Sequence, residues 1–135
     1  MGRYLLDSSA FIRAQEGATS VRPQAREVMG DRSNAIYISL ASLWEMAIKA
    51  ANGKLPFYSK MIADGSGALI ASLQATNFLL LEIELDHLLG AAALPQHHRD
   101  PFDRLMIAQA LQNDLTIITT DAVFARYAGL RLLSA

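Results

Sequence analysis

The 135-residue sequence predicts an α/β fold, with βαβ units laid around a parallel sheet of about five strands. Three observations carry that prediction. Short β-type runs recur along the chain, and most are continuously apolar rather than alternating, as in strands covered on both faces. Helical periodicity fills the intervals between them. Loop signals are local, with no repeat, low-complexity tract or linker, so residues 1–135 are expected to form a single domain.

The elements follow in order. The run 3-RYLL-6 reads as the first strand, and 8-SSAFIRA-14 opens a helix after Asp7. The loops 15-QEGATSVRP-23 and 30-GDRSN-34 lead to the second strand, 35-AIYIS-39. Leu40, Leu43, Trp44, Ala47, Ile48 and Ala51 then repeat at helix spacing. The segments 52-NGKLP-56 and 64-DGSG-67 are turns, and 79-LLLEI-83 is a weaker strand. Leu85, Leu88, Leu89 and Ala92 form the next helical stripe, and 95-PQHHRDP-101 is a loop. Met106, Ile107, Ala110 and Leu111 mark a further helix, 115-LTIIT-119 a clear strand, 122-AVFARYA-128 a helical segment and 130-LRLL-133 a weaker strand.

Composition narrows the function classes. Hydrophobic residues make up 52% and charged residues 19%, which excludes a disordered chain. The absence of cysteine excludes a disulfide scaffold, a Cys-based zinc site and a thiol nucleophile. Twelve Lys+Arg against 13 Asp+Glu leave a net charge of −1, which excludes binding of nucleic acid by bulk basicity. The longest apolar stretches, such as 78-FLLLEIEL-85, fall far short of the roughly 18 residues a membrane span needs. Asp7 interrupts the only N-terminal apolar run, so no signal peptide is read and a cytoplasmic location is expected.

Ligand sites in open parallel sheets lie beyond the carboxyl ends of the strands. Asp7 and Asp121 follow strands directly, and each is equally readable as the N-cap of the segment it opens. On a helix starting near Pro101, Asp103 shares a face with Met106, Ile107 and Ala110 at i, i+3, i+4, i+7. A carboxylate in line with a core stripe needs a partner, because burying it alone costs several kcal/mol. In 100-DPFD-103 the order is N-cap, N1 and N3, so Asp100 reads as the cap and Asp103 as the functional acid, with the reverse assignment open. Glu45 flanks its helical stripe and is also placed for an i,i+4 surface pair with Lys49. Four such acids brought together would repel one another, and a divalent cation relieves that repulsion. Oxygen-only ligands select Mg²⁺ or Mn²⁺, and acid-lined Mg²⁺ sites typically act on phosphate esters.

The segments 4-YLLDSSAFI-12, 38-ISLASLWEMAIKAANGKL-55, 94-LPQHHRDPFDRLMIAQA-110 and 117-IITTDAVFARY-127 together resemble the PIN-domain ribonucleases, and closely the VapC-type toxins of bacterial toxin–antitoxin pairs. The resemblance implies a three-layer α/β/α sandwich around a central parallel sheet. It implies that Asp7, Glu45, Asp103 and Asp121 are the metal-binding and catalytic acids, with the hydroxyl of Ser8 or Ser9 in support; Asp100 and Thr120, beside these acids, are further supporting candidates. Ser8 stands where many relatives have Thr, which keeps the hydroxyl. The segment 56-PFYSKMIADGSGALIASLQATN-77 matches the family least.

The function so implied is that of a Mg²⁺- or Mn²⁺-dependent endoribonuclease, the toxin of a type II pair. It would hydrolyse RNA phosphodiesters with metal-activated water and leave a 5′-phosphate and a 3′-hydroxyl. Arg13, Lys49, Arg99 and Arg104 lie near the motifs and are candidate RNA contacts, each also readable as a solvated charge or a neutraliser of the acids. Phe11 and Phe102 flank the acids and read as core, with base stacking the alternative. His97 and His98 read as loop residues rather than as an acid–base pair. The family usually forms homodimers and binds a small cognate antitoxin, sometimes through an Arg inserted among the acids. The apolar stretches 37-YISLASLW-44 and 55-LPFYSKMIA-63 are readable as such surfaces or as core. A receiver-like phosphoryl-transfer domain is disfavoured because no Lys follows residue 60. The remaining alternative is a catalytically silent PIN-like module that grips RNA or a partner. With the four acids set aside, 9 acids face 12 bases, so the rest of the surface is mildly basic.

Overall fold

In a computed structural model, five strands form one parallel sheet in the order β3-β2-β1-β4-β5. The structure describes the backbone of residues 1–135 and every side chain except that of Ala18. The strands are β1 (Arg3–Leu6), β2 (Ala35–Ser39), β3 (Phe78–Leu81), β4 (Thr116–Thr119) and β5 (Leu132–Ser134). The helices are α1 (Ser8–Gln15), α2 (Pro23–Gly30), α3 (Leu40–Ala51), α4 (Pro56–Ile62), α5 (Ser66–Ala75), α6 (Leu85–Ala93) and α7 (Pro101–Asn113). The order reverses between β1 and β4, so a crevice opens at the carboxyl ends of those two strands.

Strand alternation divides the core in two. Leu6, Ile36, Ile38 and Ile118 face Phe11, Ala25, Met46, Tyr58 and Leu73 on one side. Leu5 and Ile117 face Met106, Ile107, Ala110 and Phe124 on the other. The result is a three-layer α/β/α sandwich, and no helix among the described residues is long and apolar enough to cross a membrane.

Two apolar stripes lie differently from the usual core-facing orientation. On α3 the inward side is Ala41, Ser42, Leu43 and Met46, whereas Trp44 is 63% exposed. Ser39 caps α3 directly at the end of β2, which sets the helix phase and turns its small residues toward α7. Ser42 Oγ accordingly meets Met106 Sδ at 2.9 Å. On α6, Leu85, Leu88 and Leu89 are exposed, and His87 is the buried side chain. The segment after Asp121 forms a short 3₁₀ turn, Ala122–Arg126, and ends where Tyr127 becomes extended.

The polar residues of α7 explain the long motif around it. Gln109 is fully buried, accepts from Ser39 Oγ at 2.6 Å and donates to the Glu82 carbonyl at 3.2 Å. It thereby ties α7 to the end of β2 and the segment after β3.

Candidate metal centre

Asp7 leaves β1 as the N-cap of α1. Its Oδ1 accepts from the Ala10 N–H and from Ser9 Oγ, both at 2.8 Å, and its Oδ2 accepts from Thr119 Oγ1 at the end of β4. Asp121 caps the next turn through Val123 N–H at 2.9 Å, and its own N–H donates to Thr119 Oγ1 at 2.9 Å. Both strand-end acids are therefore caps, and both also line the crevice. Capping and facing the cavity use the same carboxylates.

Glu45 reaches in from α3. Ser8 Oγ donates to its Oε1 at 2.6 Å, and Lys49 Nζ stands 3.6 Å from Oε2. The i,i+4 pair forms, but on the cavity wall, with the Glu45 side chain only 13% exposed. Asp100 Oδ1 accepts from the N–H groups of Phe102 and Asp103, at 2.9 and 3.2 Å, which makes Asp100 the cap of α7. Asp103, one turn in, faces the crevice.

Asp7, Glu45, Asp103 and Asp121 line one cavity of about 380 Å³, together with Ser8, Ser9, Asp100, Thr120, Arg13 and Lys49. Burial, with Asp100, Glu45, Asp7 and Asp121 adding, pushes the Asp103 carboxyl from 3.8 up to about 7. Burial also raises Asp7, against the opposing hydrogen bonds from Thr119, Ala10 and Ser9. The oxygen donors present suit Mg²⁺ or Mn²⁺. Three of the roughly four lone-pair sites of Asp7 are already taken by protein donors, so Asp7 has one left for a cation or its water. Among the described residues no three Asp, Glu, His or Cys side chains form a ready-made cage.

Some expected contacts lie elsewhere. Arg104 is a correction, because it is buried and turned from the cavity. Its Nη1 donates to the Pro95 carbonyl at 2.8 Å, and its Nη2 to those of Ala91 and Leu94 at 2.9 and 3.0 Å. A guanidinium offers five donors, and the open carbonyls at the C-terminal end of α6 use them. Arg99 lines a separate apolar groove with Trp44, Leu88, Phe102 and Leu105. Phe11 is core, while Phe102 meets Trp44 edge-on at 5.3 Å. Thr120 is exposed on the cavity rim, and the hydroxyl that ties Asp7 to Asp121 belongs to Thr119. Its signal was its place as the first of two threonines that follow the isoleucine pair and precede the acid. Glu16, also on the cavity wall, carried no motif signal.

The fold and site define an α/β protein with its carboxylates gathered at the β1/β4 switch point. The chain belongs to the PIN-domain family, whose sequence profile matches residues 4–130. It is similar in structure to VapBC2 from Rickettsia felis bound to a promoter DNA fragment, with a TM-score of 0.70 and 15% identity over 98% of each chain. DNA-bound VapBC from Salmonella typhimurium gives 0.67 and 16%, covering 99% of this chain and 98% of that one. VapBC-5 from Mycobacterium tuberculosis gives 0.61 and 17%, with the same coverage. No curated protein sequence matches the chain.

Proposed function

We propose that the protein is a Mg²⁺- or Mn²⁺-dependent endoribonuclease and the toxin of a type II toxin–antitoxin pair. One observation carries the reading. Asp7, Glu45, Asp100, Asp103 and Asp121 converge on one cavity, and carboxylates gathered so closely call for a cation. Membership in the PIN family and likeness to VapBC structures support the same assignment.

Asp7, Glu45, Asp103 and Asp121 would hold the cation, which when bound neutralises phosphate charge and makes water more acidic. The rest is positioning by the chain itself. Ser9, Thr119 and the Ala10 N–H fix Asp7, and Ser8 fixes Glu45. Arg13 and Lys49, on the cavity wall, meet the phosphates of the RNA. Arg13 is shared with a second, polar cavity that also contains Arg22, so the phosphate track continues past the acids. A second copy of the chain covers the exposed apolar groove between α3 and α6, and a cognate antitoxin is the regulatory partner.

The test is RNA cleavage by purified, partner-free protein with Mn²⁺ and then with EDTA. The expected result is cleavage that stops in EDTA and is lost in Asp7→Asn. Undiminished cleavage in EDTA contradicts the metal chemistry. RNA binding without cleavage under Mn²⁺ contradicts the enzyme and favours a silent binding module.

A further inference from the structure

His98 has a place that a loop histidine does not need. Its Nδ1 stands 2.6 Å from the hydroxyl of Tyr127, which is itself 3% exposed. Arg104 Nη1 approaches the same hydroxyl at 3.5 Å. A guanidinium only donates, so it occupies a lone pair of the Tyr127 oxygen. Among the described residues, His98 Nδ1 is the one acceptor within reach of the Tyr127 proton. An imidazole that accepts at Nδ1 carries its own proton at Nε2. That Nε2 is buried, has no hydrogen-bond partner among the described residues, and lies 3.5 Å from Asp103 Oδ2. The ring is packed edge-on against Phe124 and Tyr127, with centroids 6.3 and 5.4 Å away.

We infer that His98 is a positioning residue for Asp103, locked by Tyr127 as the Nε2–H tautomer and donating to Oδ2, which leaves the other carboxylate oxygen for a cation. Closing the gap to a charge-assisted hydrogen bond of about 2.8 Å takes a movement of under about 1 Å. Outer partners of this kind set the direction of a metal-binding side chain, and losing one typically costs about 10–100-fold in metal affinity or activity. The inference rests on the metal reading of Asp103 given above. It also gives the Arg104–Tyr127 contact a task beyond holding the 91–98 segment.

Two measurements test it. A long-range ¹H–¹⁵N correlation spectrum of the unmutated protein should show His98 as the Nε2–H tautomer, and Tyr127→Phe should shift it toward Nδ1–H. In Mn²⁺ titrations followed by electron paramagnetic resonance, His98→Phe should bind about 10–100-fold more weakly. His98→Gln, which keeps an N–H near the Nε2 position, should recover most of that affinity. Cleavage should fall in kcat with an unchanged KM for RNA. An Nδ1–H tautomer in the unmutated protein, or wild-type Mn²⁺ affinity in folded His98→Phe, overturns the role of His98. Asp103→Asn run in parallel separates the two claims. If it loses Mn²⁺ while His98→Phe keeps it, only the role of His98 falls. If Asp103→Asn keeps Mn²⁺, the metal reading falls and the role of His98 with it.

Discussion

Trp44 and Glu45 are adjacent in sequence, as are Phe102 and Asp103, yet each pair serves two different surfaces. Glu45 and Asp103 line the acid cavity, while Trp44 and Phe102 meet edge-to-face and line the apolar groove beside it. Successive residues on a helix diverge by about 100°, so α3 and α7 each contribute to both surfaces. The two differ in how much the chain satisfies by itself. In the cavity, Asp7, Glu45 and Asp121 receive donors from hydroxyls and backbone, and Asp103 Oδ2 faces His98 Nε2 at 3.5 Å. In the groove, Trp44 and the leucines of α6 stand open to solvent. One surface gathers carboxylates and the other apolar side chains.

Breaking the acid side should give the largest effect. Asp103→Asn should lower cleavage by about 10²–10³-fold or more in kcat/KM, the scale of losing a transition-state charge contact. The same variant sharpens the electrostatic account in metal-free protein. Because the folded state holds the Asp103 proton more tightly than the unfolded chain, stability falls as pH rises from about 4 to about 7. The thermal midpoint of the metal-free parent should decline over that window, and that of Asp103→Asn should decline less. Mn²⁺ should raise the parent midpoint and leave the variant unmoved.

Arg104 tests the material beneath both surfaces. Arg104→Met leaves the part-buried carbonyls of Ala91, Leu94 and Pro95 without their donor, and should cost about 1–3 kcal/mol in urea unfolding. Leu88→Glu addresses the groove alone. On the proposed covering of the groove by a second copy, it should lower the mass seen by light scattering to that of a monomer while changing Mn²⁺ affinity little. Lys49→Met should have the smallest effect, under about 1 kcal/mol, because that pair is solvent-screened on the lysine side. That figure is for urea unfolding; RNA affinity should fall in the same variant, because Lys49 is proposed to meet the substrate's phosphates.

Legibility in the sequence followed the same divide. Asp103 was readable because its spacing to Met106, Ile107 and Ala110 is a property of one helix. The strands β2 and β4 announced themselves by runs with paired isoleucines, and β1 by its Tyr-Leu-Leu run. Helix α5 gave no stripe, because only Leu73 among its residues is buried. Its outward side carries no periodic contrast. The spacing of Trp44 and Leu88 was legible as amphipathic, but which side of an amphipathic helix meets the core depends on the junction with β2 and on Ala41 and Ser42 packing inward. Thr119 and His98 act across 112 and 29 residues on Asp7 and Tyr127, and no local pattern encodes such contacts.

The most direct test of the central claim is the anomalous scattering of a crystal of this protein soaked in Mn²⁺, with Asp103→Asn as the control. The account predicts a Mn²⁺ peak in the cavity bounded by Asp7, Glu45, Asp103 and Asp121, reached directly or through water, and no peak in the variant. A Mn²⁺-saturated protein with that cavity empty of the ion would contradict it.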